Sequence, residues 1–381
     1  MILRYIHIFF FCVTLFCMSS CSGTSNIDDY NKVIYAPTHA LGFRIFGAEG
    51  KQSTIIQVTN PWQSANNVET KLFIARGGEK IPAGFRGQVL QGDAKRIVCM
   101  SSSHIAMLDA IGAVECVVGV SGKRFVTNHY VVTNQRSIAE VGYDGNMNFE
   151  LLVGVRPDIV LLFGVTGACV MQSKLEELKI PYIYIGEYVE EAPLGKTEWL
   201  VAIAEIIGSR DQGIAYFSEI PKRYEQLKSM AAASISPVPK VMINTPYSDS
   251  WFMPSSTSYM ARLIADAGGD YIYKKNTSNH SQPIDMEEAA LLTTWADVWL
   301  NVESVSSLQD IRNQYPKFAN MPCVQRGEVY SCDKRRVIGG GNDYWESGVV
   351  RPDVILRDLI KIFHPELVVD QDFVYYRKLP N

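Results

Sequence analysis

The chain has 381 residues, with 36 Lys and Arg against 40 Asp and Glu, a net charge of −4, and 47% hydrophobic and 20% charged residues. These are the proportions of a folded globular protein, and the slight acidity gives no reason to expect a nucleic-acid partner. The length suits two domains with separate cores, and after the first twenty residues no stretch is apolar for long enough to span a bilayer.

Residues 1–20 read as a secretory signal: Arg4 supplies a positive start, Ile6 to Met18 is nearly all apolar, and Ser19 and Ser20 are small. Met18-Ser19-Ser20-Cys21 resembles the bacterial lipobox, so Cys21 is expected to open the mature chain and to carry the lipid. Acyl chains contribute about 0.8 kcal/mol per buried CH₂, enough for several together to anchor a protein. An ordinary signal peptide with an incidental Cys21 is the alternative. Residues 21–94 form the lipidated N-terminus and a β-rich extension, expected to lie on a lobe rather than fold alone. Its alternating runs are Gly42 to Phe46 and Thr54 to Val58, with a further strand at Lys71 to Ala75.

From Arg96 a strand–helix alternation predicts an α/β lobe over 95–196 with mostly parallel sheet. After the strand Ile97 to Met100, the serines at 101–103 can cap a helix with Ile105, Leu108 and Ile111 on one face, stopped by Gly112. Strands at 117–120, 159–163 and 182–185 are unbroken by polar residues, which predicts burial on both faces. Residues 197–235 read as a helical linker. One helix starts at Thr197 and ends at Gly208; a second starts near Asp211, and Pro221 predicts a kink or restart there. The second lobe, 236–381, repeats the order of the first about 140 residues later. It has a strand at Val241 to Asn244, a loop through Trp251, a helix from about Thr257 to Ala267, and Glu287 before Asp297 as Glu150 stands before Asp158. Two similar lobes imply a cleft, and a helical connector implies limited opening.

Cys99, Cys116, Cys169, Cys323 and Cys332 are odd in number and lack CxxC spacing, which argues against a zinc site or a disulfide scaffold. Cys323 and Cys332 flank a hairpin-like turn and could pair in an oxidising compartment; two buried thiols are the alternative. No HExxH, GxSxG or Cys–His constellation points to catalysis, so no enzyme is expected.

Three runs carry a family likeness: RIVCMSSSHIAMLDAIGAVECVVGVSG (96–122) with VGYDGNMNFELLVGVRPDIVLL (141–162), VMINTPYSDSWFMPSSTSYMARLIADAGGDYIY (241–273), and GGGNDYWESGVVRPDVILRDLIKIFHPELV (339–368). Together they resemble the periplasmic binding proteins of ABC importers for iron–siderophore complexes, haem and vitamin B12, over roughly 95–381. The resemblance implies an α/β fold of two Rossmann-like lobes joined by a long helix, here with a β-rich N-terminal extension. It implies a monomer with no resident cofactor, tethered in the periplasm as a lipoprotein of the inner-membrane outer leaflet or the outer membrane. Its partners would be a metal-chelate ligand and an inner-membrane ABC permease. Iron(III)–siderophore is the first choice of ligand, with vitamin B12 and haem after it. Glu150 and Glu287, with Glu288 as a substitute, match the glutamates that dock into permease arginines, a directional pairing; solvation of a helix start is the alternative. A surface lipoprotein relaying ligand to an outer-membrane receptor and a chelatase-like enzyme are the other readings.

Loops at the carboxyl ends of strands line the crevice of an open α/β sheet. That rule nominates Ser102, Ser103, His104, Tyr143 and Phe163 from the first lobe. From the second it nominates Tyr247, Trp251, Met253, Arg335, Arg336, Asn342, Tyr344 and Trp345. Aromatics can stack on a macrocycle or catecholate, and arginines pair with carboxylates. His104 could ligate haem iron, or serve as a structural residue at a helix start. Trp251 and Trp345 could instead be packing residues. Gly339-Gly340-Gly341 is expected to let backbone approach the ligand, and Arg351-Pro352-Asp353 to open the C-terminal helix.

Overall fold

The computed structural model describes residues 25–302 and 305–381, so the signal segment and Cys21 lie outside the described residues. The extension forms one five-stranded sheet in sequence order: β1 (Lys32–Tyr35), β2 (Phe43–Gly47), β3 (Thr54–Thr59), β4 (Glu69–Ala75) and β5 (Gln88–Gln91). Its alternation sorts side chains as a pleat requires. Ile45, Ile56, Leu72 and Ile74 join the core of the first lobe, while Ile55 and Phe73 face a small core of their own with Tyr30.

The first lobe runs β6 (Ile97–Cys99), α1 (Ser102–Ala110), β7 (Val117–Val120), α2 (His129–Thr133), β8 (Ala139–Glu140), the hairpin β9 (Gly142–Tyr143) and β10 (Asn146–Met147), α3 (Phe149–Gly154), β11 (Ile159–Leu162), α4 (Gln172–Leu178) and β12 (Tyr182–Tyr184). Its sheet is parallel throughout in the order β12-β11-β6-β7-β8. The unbroken apolar strands are buried on both faces. Ile97, Cys99, Ile159 and Leu161 enter one cluster, and Val98, Val160, Leu162 and Tyr184 the opposite one. The Ser101 side chain caps α1 by accepting from the Ser103 N–H, and Gly112 follows the helix at φ +67°.

After β12 come α5 (Pro193–Glu198), α6 (Leu200–Ile206) and α7 (Arg210–Ala232). The second lobe then follows: β13 (Lys240–Ile243), β14 (Ser250–Met253), α8 (Tyr259–Asp266), β15 (Asp270–Tyr271), β16 (Gln282–Asp285), α9 (Met286–Thr293), β17 (Val298–Leu300), α10 (Leu308–Gln314), α11 (Pro322–Arg326), β18 (Tyr330–Ser331), α12 (Pro352–Phe363) and β19 (Arg377–Lys378). Here a parallel β15-β13-β17 sheet is flanked by the antiparallel pairs β14-β16 and β18-β19. Cys323 and Cys332 are both buried thiols rather than a disulfide. The architecture is α/β, two lobes joined by a connecting helix.

That connector is α7 alone. Leu200 to Ile207 sit in the core of the first lobe, not between the lobes. At about 1.5 Å per residue the 23 residues of α7 span roughly 34 Å. Its Phe217 is buried in the first core; Ile220, Tyr224 and Ala231 are buried in the second. Pro221 lies inside one unbroken helix, so the chain does not restart the helix there. Buried neighbours on either side of it anchor α7 against α6 and α12, and this packing outweighs the roughly 3 kcal/mol a helix-interior proline costs.

Three buried glutamates stitch the extension to the first lobe. Glu198 accepts from the Tyr35 hydroxyl (2.7 Å) and from the N–H groups of Thr38 (2.9 Å), His39 (2.7 Å) and Ala40 (2.8 Å). Glu190 accepts from the N–H of Leu41 and Gly42 and from the Trp199 indole. Glu205 accepts from Thr54 (2.6 Å), Arg76 (2.6 Å) and Arg210 (2.9 Å). Buried charges are tolerable only when surrounded by such donors.

Candidate functional site: the cleft between the lobes

The segment that follows β12 faces residues 254–260 and 279–281 of the second lobe across a cleft. At its floor the Lys196 ammonium lies 5.7 Å from the Tyr188 ring centroid and 5.5 Å from that of Tyr259, and donates to the Glu187 carbonyl (3.0 Å). Trp345, 47% exposed, lines the same hollow of about 260 Å³. Burial lowers the Lys196 pKa, opposed by the charges of Glu187 and Glu190. Burial also raises the phenols of Tyr188 and Tyr259, leaving neutral aromatic faces. Beside the floor Glu191 latches the lobes together, accepting from the Thr257 hydroxyl (2.7 Å) and from Arg262 (2.8 Å).

The expected crevice at the carboxyl ends of β6 and β11 is occupied by protein. Ser103 Oγ donates to Glu187 Oε1 at 2.5 Å, and His104 Nε2 lies 3.8 Å from Glu187 Oε2, an ion-pair distance rather than a hydrogen bond. Burial alone would raise the Glu187 carboxyl; His104, Lys196 and the Ser103 hydroxyl outweigh it and hold it below the usual range. Ser103 and His104 are buried, so they support the cleft floor from beneath rather than touch a ligand, while Ser102 is half-buried at the start of α1.

Several nominations from the second lobe are corrected in the same way. Trp251 is fully buried, its indole donating to the Ile243 carbonyl (2.9 Å) and its ring packed on Trp299 and Phe318. Met253 is buried in the same core, because the alternation of β14 turns residues 251 and 253 inward together. Tyr344 is buried among Met260, Tyr375 and Tyr376. The triple glycine meets the first lobe instead of a ligand. A Cβ on Gly339 would lie 2.2 Å from the Arg124 carbonyl oxygen, and one on Gly341 2.2 Å from that of Phe125. Next to this clasp the Thr127 N–H donates to Glu346 Oε2 (2.8 Å) and the Thr127 hydroxyl to Asp343 Oδ1 (3.1 Å).

The remaining residues scatter. Arg335 is exposed and pairs with Asp343 at 2.6 Å; Arg336 is exposed and bridges to Asn342 through its backbone; Asn342 caps the turn that carries Trp345. Tyr143 and Tyr247 are exposed outside the cleft hollows, and Phe163 packs half-buried against the second cluster of its lobe. Glu150 and Glu287 stand exposed in the first turns of α3 and α9. Of the thirteen ligand nominations, only Trp345 lines the floor hollow. Lys196, Tyr188 and Tyr259 were missed. The strand-end rule, applied to β12, points to Tyr188, and Lys196 is the one cation of a short helix whose other residues are all buried.

A family model described as periplasmic binding protein matches residues 97–336. An uncharacterized lipoprotein of Methanocaldococcus jannaschii, MJ0878, is 28% identical over 336 residues, covering 81% of this chain and 78% of its own. Among solved structures, a periplasmic heme binding protein from Pseudomonas aeruginosa superposes with TM-score 0.56 at 18% identity, over 71% of this chain and 93% of that one. The molybdate periplasmic binding protein MolA of Haemophilus influenzae superposes with TM-score 0.57 at 18% identity, over 76% and 91%. These structural likenesses concern the fold. The family match spans more than half of the chain, and the two-lobed architecture with its helical connector accords with it: the protein belongs to the periplasmic binding protein family, the substrate-binding components of ABC importers.

Proposed function

We propose that this protein is a lipid-anchored periplasmic component that holds an anionic metal chelate between its lobes and delivers it to an inner-membrane ABC permease. The observation that carries the reading is the floor of the cleft, a half-buried ammonium between two neutral aromatic faces with an exposed indole beside it. A cation desolvated in this way favours an anionic group, and the rings offer stacking area to a flat or aromatic chelator. An iron(III)–siderophore complex meets both demands. Haem is the second reading, favoured by the rings beside Lys196, which offer stacking area while the ammonium suits a propionate. The lipoprotein name of the relative supports an anchor at Cys21.

Titration of metal-stripped protein with ferric siderophores, ferric citrate, haemin and cyanocobalamin, followed by tryptophan fluorescence, tests the reading. Saturable quenching by an anionic chelate is expected, with Lys196→Met weakening it at least tenfold, or about 1.4 kcal/mol. No saturable binding, or an unaltered affinity in the variant, would overturn it. Cys21→Ala, placed behind an ordinary cleavable secretory signal in place of residues 1–20, should move the protein from the membrane to the soluble periplasmic fraction.

A further inference from the structure

The cleft has a third side, and it is built by the extension. Loop 60–65 precedes the family-matched region, yet it is locked onto the carboxyl ends of β11 and β12. The Trp62 ring packs edge-on against Tyr184 at 5.2 Å, a Cβ on Gly164 would lie 3.0 Å from that of Trp62, and the Gln63 N–H donates to the Val165 carbonyl (2.9 Å). The loop is closed on itself, since the Asn60 N–H donates to the Val68 carbonyl (2.9 Å) and the Val68 N–H to Asn60 Oδ1 (3.0 Å). Asn60, Ser64 and Asn67 hold left-handed φ values of +47°, +61° and +58°, which asparagine adopts readily and which costs Ser64 more. Thus fixed, Gln63 borders the hollow over Lys196. Gln63 and Ser64 also border a neighbouring hollow of about 380 Å³ whose far side is His280 and Ser281 of the second lobe. The two hollows share Gln63, Tyr188, His280 and Ser281, so they are parts of one space. They differ in chemistry: over the floor lie aromatic rings and Lys196, with the carboxyls of Glu190 and Glu191 at its edge already bonded to protein donors, and against the extension lie uncharged amide and hydroxyl groups.

We propose that loop 60–65 is a third wall of the ligand site, on which Gln63 and Ser64 read a neutral hydrogen-bonding arm of a chelate whose anionic centre lies over Lys196. This rests on the reading of the cleft as the ligand site. The ligand class is an anionic metal chelate bearing amide or hydroxyl arms, in contrast to a compact carboxylate complex or a flat macrocycle.

A matched pair of probes separates the two walls. Ferric schizokinen has a citrate centre with two amide-linked hydroxamate arms that bear no carboxylate; ferric citrate offers citrate without the arms. Unaltered protein should bind ferric schizokinen more tightly. Gln63→Ala with Ser64→Ala should weaken schizokinen about tenfold and leave ferric citrate unchanged, whereas Lys196→Met should weaken both. Equal effects of the double variant on the two probes, or none, would overturn the third wall while the cleft reading stands. Binding of haemin in preference to both iron chelates would also overturn it, because haem has no such arm. Failure of schizokinen, citrate and haemin alike to bind the unaltered protein would remove the cleft reading on which the inference rests. Thermal melting of each variant, expected within about 2 °C of the parent for the Gln63 and Ser64 changes on the loop and above the assay temperature for Lys196→Met, excludes misfolding as the cause of lost affinity.

Discussion

Glu346 is one of the carboxyls through which the second lobe leans on the first. It accepts the Thr127 N–H across the interface, and burial, aided by the nearby Asp343 charge, pushes its pKa up to about 7. A carboxyl raised in this way contributes stability that is full below its unfolded value near 4.5 and is lost as pH rises through 7, because the native state then holds a proton the unfolded chain has released. The effect is at most about 3 kcal/mol. Glu346→Gln should therefore flatten the melting temperature between pH 4.5 and 7 relative to the parent; a parallel pair of curves would contradict this assignment. Individual residues were also the hardest scale to read in the sequence. Trp251 and Trp345 are the same residue type in the same lobe, and only the pleat of β14 against the turn at 343–345 decides that one packs and the other faces the cleft. His104 is likewise indistinguishable from a ligand until Glu187, 83 positions later, arrives beside it.

Among the elements, the extension depends most on its neighbours. Glu198 holds Tyr35 and residues 38–40 at once, so Glu198→Ala would strand several buried donors. Each such group left unpaired costs about 1–3 kcal/mol, and a total loss of roughly 3–5 kcal/mol is expected by denaturant unfolding. A loss below about 1 kcal/mol would mean that the sheet is held by its apolar face alone. The strands β2, β3 and β4 and the parallel strands of the first lobe were legible, because alternation and unbroken apolar runs report directly on how many faces are buried. The role of Glu190, Glu198 and Glu205 was not: a glutamate among apolar neighbours carries no mark of the distant backbone it will hold. That α7 continues through Pro221 was hidden for a related reason, since helix propensity is local and the packing that overrides it comes from α6 and α12.

For the whole molecule, transport and capture should be separable. Glu150 stands beside exposed Leu151 and Val153, and Glu287 on a helix with exposed Leu291 and, just past its end, Trp295, which suits two docking patches on different lobes. Reversing both charges, Glu150→Lys with Glu287→Lys, should abolish uptake in cells while chelate affinity of the purified protein stays within about twofold. Undiminished uptake would refute the docking role. The duplication of lobes and the need for a helical connector were visible in the sequence, since both follow from the order of elements; the three-sided mouth was not, since the third side comes from outside the repeated unit.

One rod of helix shared by two cores has a further consequence. With Phe217 seated in one and Ile220 in the other, barely a turn apart, neither half can melt without loosening the shared rod on which the other half is built. Calorimetry should accordingly record a single heat-absorption peak whose van't Hoff and calorimetric enthalpies agree, where two merely tethered bodies would give two.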